Sequence, residues 1–152
     1  PKFRSMRRNR RVLFGPDPLA GPETEDATAR LLCEQALRNR ALRLTNAFIR
    51  LGWEADVYGR FLARSGPGLL VDLSDALRLE GTEVPADFVE RLPVLERMFG
   101  EEAGVLRDLL DLRARPRRLT VAEAAEFHSR LFRLVDAVLR RIEERWPKPL
   151  TA

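Results

Sequence analysis

The stretch Thr120-Val121-Ala122-Glu123 opens the longest regular pattern in the chain, which runs on to Trp146. A threonine followed three residues later by a glutamate is a capping box, in which both side chains bond free amides of the first helical turn. Mostly apolar side chains then recur every three or four positions, as the buried face of a helix requires: Val121, Ala125, His128, Phe132, Val135, Leu139, Ile142 and Trp146. The pattern predicts a closing helix roughly 40 Å long.

The preceding hundred residues show the same periodicity. A first helix is predicted to begin near Thr24 or Asp26 and to stop at Gly52, with a buried face spaced 4, 3, 4 and 3 residues. That face is Leu37, Ala41, Leu44, Phe48 and Leu51. Helix-breaking residues at Gly66-Pro67 predict that a second helix, over residues 53–65, ends before a third one over residues 68–79.

The third predicted segment is apolar nearly all round, so we expect it in the middle of a bundle. After a turn over residues 81–87, Pro93 is expected to kink or split the region 88–99, and a further short helix follows near residues 105–112. The sequence therefore predicts an all-α, up-and-down bundle of about five helices over residues 20–152.

A basic arm precedes the bundle and occupies residues 1–19. Residues 1–20 carry six basic groups and one acidic group, a net charge of +5, whereas the remaining 132 residues carry 21 basic and 22 acidic groups, a net −1. An arm of this kind binds phosphates through counterion release or is simply a solvated charge run. The candidate phosphate or nucleic-acid contacts are Lys2, Arg4, Arg7, Arg8, Arg10 and Arg11.

Composition limits the classes of function. No apolar run approaches the roughly 18 residues of a membrane span. The single cysteine, Cys33, excludes an intrachain disulfide and favours the cytoplasm. Glycine-rich phosphate loops and nucleophile motifs are missing from the sequence, so we predict no catalytic residue and no cofactor for this chain.

Three kinds of side chain in the sequence are able to carry chemistry: cysteine, histidine and aspartate. One Cys and one His, 95 positions apart, cannot form a structural zinc site. The pairs Asp72/Asp75 and Asp108/Asp111 have the spacing of neighbours on a helix, and we interpret them as local ion pairs rather than as a Mg²⁺ site. His128 is interpreted as a hydrogen-bonded core histidine, and Cys33 as a small core or boundary residue.

The order of elements resembles the C-terminal helical part of bacterial nucleotidyltransferase-domain proteins of the polymerase-β-like superfamily, whose bundles are of the HEPN and kanamycin-nucleotidyltransferase types. The matching patches begin with the strand-like run and turn of residues 12–19 (VLFGPDPL), which look like the end of an upstream catalytic domain. The others are residues 38–44 (RNRALRL), 69–73 (LLVDL), 84–87 (VPAD) and 134–138 (LVDAV).

This resemblance implies a non-catalytic accessory domain that completes the substrate cleft of an upstream nucleotidyltransferase domain and supports homodimerisation. Mg²⁺ and a nucleoside triphosphate are expected only with that upstream domain, because the Gly-Ser turn and paired acidic residues of the superfamily are absent here. The HEPN ribonuclease motif is absent too, since Ala122, Glu123 and Ala124 stand where an arginine would precede His128. The alternative is a free-standing helical module whose arm binds RNA or an acidic partner.

Overall fold

The computed structural model describes residues 11–16 and 26–146, and throughout these residues the regular structure is helical, which confirms the predicted all-α class. A 3₁₀ turn spans Gly100–Gly104. Four helices exceed three turns and one has ten residues, so the predicted count of about five is corrected to four long helices and one short helix. The helices are α1 (Asp26–Leu51), α2 (Ala55–Leu79), α3 (Phe88–Phe99), α4 (Val105–Ala114) and α5 (Val121–Arg145).

Helix α1 buries the predicted face and ends where the sequence indicated. Leu37 and Leu44 are fully buried in the core. The amide of Gly52 donates to the carbonyl of Phe48 at 2.7 Å and closes the last turn. A Cβ at Gly52 would lie 2.6 Å from that carbonyl oxygen, so the turn accepts only glycine.

Helix α2 runs without interruption through Gly66-Pro67, so the predicted break between residues 65 and 68 is wrong. Pro67 has no amide hydrogen for the carbonyl of Ala63, one turn earlier. The guanidinium of Arg113 donates to that oxygen instead, at 3.4 Å. Gly66 packs against Leu109, and a Cβ on Gly66 would lie 3.2 Å from the leucine side chain. Contacts from α4 therefore stabilise the helix across its proline.

Helix α3 also continues across its proline, and the predicted split at Pro93 does not occur. Asp87 caps the helix by accepting hydrogen bonds from the amides of Val89 and Glu90. The carbonyl that Pro93 leaves without a helical donor belongs to Val89, in the first turn. Val89 is 63% exposed, so that carbonyl lies in a part of the helix open to water.

Helix α5 carries the predicted capping box, with Thr120 and Glu123 each accepting an amide hydrogen bond from the other. Its buried face is partly different from the predicted one, because Val121 is 55% and Phe132 43% exposed. Because the helix packs on both α1 and α2, the residues that face the core in its first half differ from the predicted ones. The buried set is Ala124, Phe127, Leu131, Leu134, Val135, Val138, Leu139 and Ile142.

The second half of α2 lies at the centre of the bundle, as its all-round apolar character predicted. Leu69, Leu70 and Leu73 are at most 1% exposed. Helices α1, α4 and α5 all pack against α2. None of the helices in the described ranges is long and apolar enough to cross a bilayer.

Candidate functional site

The predicted phosphate-binding arm falls mostly outside the described residues: Lys2, Arg4, Arg7, Arg8 and Arg10 all lie there. Arg11 is described and exposed. The apolar run that follows it has no regular secondary structure and is exposed as well, with Val12 at 44%, Leu13 at 86% and Phe14 at 98%.

Each aspartate of the two predicted carboxylate pairs forms an ion pair with an arginine. Arg40 donates to Asp72 at 2.8 Å, and Arg78 donates to Asp75 at 2.8 Å. The other pair has the same arrangement, since Arg130 lies 2.7 Å from Asp108 and Arg115 lies 3.9 Å from Asp111. Across the described ranges, His, Cys, Asp and Glu side chains form no group of three that would hold a metal ion. The four aspartates therefore act as ion-pair partners in this structure.

His128 joins three helices through an aromatic cluster with Phe48 and Tyr58. Its Nδ1 lies 3.0 Å from the Tyr58 hydroxyl oxygen. Its ring stacks on Phe48 with centroids 4.3 Å apart and planes 3° apart. Tyr58 in turn meets Phe48 edge-on at 5.4 Å. The predicted hydrogen-bonded histidine is therefore present, with its ring half-buried between α1 and α2.

Burial sets the protonation of this cluster. It lowers the pKa of His128 and raises the pKa of Tyr58 well above its usual range. The phenol accordingly keeps its proton, and its O–H donates a hydrogen bond to Nδ1 of a neutral imidazole. A fully buried phenol and a neutral imidazole form a stable anchor for α5, and neither group is activated as a nucleophile.

Cys33 lies in the core at 1% exposure, as predicted. Burial, and secondarily the charges of Asp75 and Asp72, raise the pKa of its thiol to about 12. Since the thiolate is the reactive form, the side chain acts as a small apolar residue.

Residues 113–118 (RARPRR) form an arginine-rich segment that the sequence reasoning missed. Four arginines in six residues were readable as a local charge run, but their neighbours depend on the fold. The segment and the end of α4 lie along α2 in register: Leu109 meets Gly66, Arg113 meets Ala63, and Leu119 meets Gly59. A Cβ on Gly59 would lie 3.2 Å from Leu119, so the small residues permit this close approach.

Two arginines of α2 and two of this segment lie along the contact between them, since Arg118 lines one depression with Arg60 and Arg113 bonds to Ala63 beside Arg64. We call these four residues the arginine face: Arg60, Arg64, Arg113 and Arg118. Arg60 and Arg64 are exposed and one helical turn apart. Arg118 is 93% exposed at its side chain and lies 3.5 Å from Asp56. Trp53, 76% exposed, lines a depression of about 610 Å³ together with Arg60 and Arg118.

The acidic groups in that depression are Glu54 and Asp56. Within the depression Arg60 and Arg118 are balanced by these two carboxylates, so the surplus positive charge of the face comes from Arg64 and Arg113, which make no ion pair among the described residues. Residues 21–152 are nearly neutral in sum, but the arginine face concentrates positive charge next to an exposed indole.

No family model, curated protein or solved structure matches the chain.

Proposed function

We propose that the chain is a non-catalytic helical accessory domain of a cytoplasmic nucleotidyltransferase-like protein. The observation that supports it best is the exposed run Val12-Leu13-Phe14 ahead of the bundle. A phenylalanine at 98% and a leucine at 86% exposure, side by side, are typical of a surface that another protein surface covers. The β-branched and aromatic character of the run suits pairing as an edge strand of an upstream domain.

In this proposal the bundle packs on the upstream domain and completes its substrate cleft, while Mg²⁺ and the nucleoside triphosphate bind to upstream carboxylates. Homodimerisation uses the exposed apolar side chain of Phe132 on the last helix, because the apolar second half of α2 is internal. Two-fold dimers are the commonest soluble oligomers. Replacing Phe132 by Glu should then give monomers of unchanged helicity in light scattering.

The test of the accessory role begins with the reading frame upstream of Pro1. A protein extended to include that region is titrated with an ATP analogue and Mg²⁺ by calorimetry, beside a matched variant whose upstream acidic pair is replaced by alanine. We expect binding only to the unmutated protein. An upstream region without a Gly-Ser turn and paired acids, or an extended protein that binds no nucleotide, would refute the proposal.

The second candidate is an interaction module that binds RNA or an acidic partner through the basic arm, and the +5 charge of residues 1–20 favours it. Binding through the arm alone is electrostatic, so the affinity should be low and should fall steeply with salt. Deleting residues 1–11 should abolish it. Binding that survives this deletion counts against the arm as its site.

A further inference from the structure

The geometry points to a second binding surface, distinct from the arm and independent of the proposed function: the arginine face with Trp53 is a binding site for single-stranded RNA. Phosphate recognition needs cations that are not already committed to carboxylates. In the described residues Arg60, Arg64 and Arg113 make no ion pair, and Arg113 donates a hydrogen bond to the carbonyl of Ala63, whereas Arg118 pairs with Asp56 at 3.5 Å.

The fold holds the backbone of the 113–118 segment against α2. The bond from Arg113 to Ala63 and the contact of Arg118 with Asp56 attach the 113–118 segment to α2 at two places. Leu119, 6% exposed and packed on Gly59, fixes the end of the segment. A guanidinium fork presented on a rigid element matches phosphate geometry better than a flexible ammonium does.

The exposed ring of Trp53 favours single-stranded RNA over a duplex as the bound polyanion. Its ring is 76% exposed at the turn between α1 and α2, where Gly52 fixes the backbone. An exposed indole beside arginines provides a platform on which an unstacked base lies flat. Bases of a duplex are already stacked, whereas single-stranded RNA offers free base faces. The combination therefore favours a single strand over a duplex.

The charge distribution also disfavours a second copy of this chain as the occupant. In a two-fold dimer the same patch meets itself, which would bring the surplus arginines of one copy against those of the other. An acidic protein would satisfy the charges but would leave the flat indole without a specific partner.

The test measures binding of a fluorescein-labelled 20-nucleotide single-stranded RNA to the full chain by anisotropy, between 0.05 and 0.3 M salt. The variant replaces Arg60 and Arg64 by glutamine, while a control removes the same charge at exposed sites on other surfaces. The control positions are Arg97 and Arg145, which likewise make no ion pair among the described residues. Circular dichroism confirms that both variants fold.

Each phosphate contact of a single strand contributes about 0.7 to the log–log salt slope, so two lost contacts should lower the slope by about 1.4. At 0.1 M salt the same loss should weaken binding by roughly 25-fold, and the control by less than about threefold. Trp53→Ala should weaken binding by about tenfold at every salt concentration, because stacking is not screened. A duplex of the same sequence should bind less tightly than the single strand.

A second measurement does not depend on the arginine variant. In Trp146→Phe, Trp53 is the only tryptophan, and its fluorescence should be quenched at RNA saturation. Equal losses in the arginine variant and the control would overturn the inference and assign binding to overall charge. The inference would also be overturned, in favour of an acidic protein as the partner, if polyglutamate displaced the RNA fully and Trp53→Ala bound RNA as tightly as the wild type. Unquenched Trp53 at saturation would refute the stacking step.

Discussion

Helix α2 crosses Pro67 because a side chain 46 positions later replaces the missing amide, and this can be measured. Pro67→Ala restores an amide for the carbonyl of Ala63, so the helix should no longer need Arg113 there. Arg113→Met keeps most of the stem and removes the donor. The two changes together form a double-mutant cycle, in which Arg113→Met should cost less stability with alanine at position 67 than with proline there.

The magnitudes follow from the geometry. Proline in a helix interior costs about 3 kcal/mol relative to alanine, but the side-chain bond recovers part of this loss, and proline also lowers the entropy of the unfolded chain by about 0.4–1 kcal/mol. We therefore expect Pro67→Ala to stabilise the protein by about 1–2 kcal/mol, or about 3–6 °C in Tm. At 3.4 Å the Arg113 bond is long and exposed. Its loss should cost about 0.5–1 kcal/mol with Pro67 present and about 0.3 kcal/mol or less with alanine there.

Urea unfolding followed by circular dichroism at 222 nm gives the four free energies of unfolding. Arg97→Met serves as the matched control, because Arg97 is also exposed near a helix end. It should change stability equally in both backgrounds. The reasoning fails if Arg113→Met costs the same with alanine at position 67 as with proline, or if Pro67→Ala lowers the free energy of unfolding.

Three further predictions concern the polar groups of the core. Burial holds the pKa of His128 below 6.5, so below about pH 6.5 the unfolded chain binds more protons than the folded chain. The wild type should therefore lose stability relative to His128→Gln in thermal melts as the pH falls from 7.5 to 5. Parallel curves of Tm against pH for the two proteins would contradict this. Cys33 should resist alkylation at pH 8 in the folded protein and react fully in urea, and prompt labelling would disprove its burial. Arg40→Met leaves the mostly buried Asp72 without its ion pair and should lower the free energy of unfolding by about 2–3 kcal/mol. Adding Asp72→Asn should recover much of that loss in chemical unfolding. Strictly additive effects of the two substitutions would contradict the pairing.

Local signals in the sequence were sufficient for elements whose ends are set by their own residues. The capping box at Thr120 and the stop at Gly52 are such cases, and both predictions are confirmed. The break expected at Pro67 and the split expected at Pro93 are wrong, because a missing amide does not by itself end a helix. At Pro67 the replacement comes from Arg113, and no local pattern connects the two positions.

The same limit applies to the candidate sites. The sequence predicted a hydrogen-bonded His128, but it did not identify Tyr58 or Phe48 as the neighbours, since they come from different helices. The four arginines within residues 113–118 can be read from the sequence alone. The position of Arg118 beside Arg60 and Trp53 follows only from the antiparallel course of the segment along α2.

Because Arg113 both completes the turn of α2 and belongs to the arginine face, stability and RNA binding should respond oppositely to Pro67→Ala. With alanine the carbonyl of Ala63 takes a backbone amide, and the guanidinium of Arg113 loses the contact that orients it. Immobilising a free side chain on binding costs about 0.5–1.5 kcal/mol, so the affinity for single-stranded RNA should fall by about two- to tenfold in the anisotropy titration while Tm rises. Tighter or unchanged binding would mean that Arg113 contributes to the helix alone, and Pro67 would then have no part in arranging the binding surface.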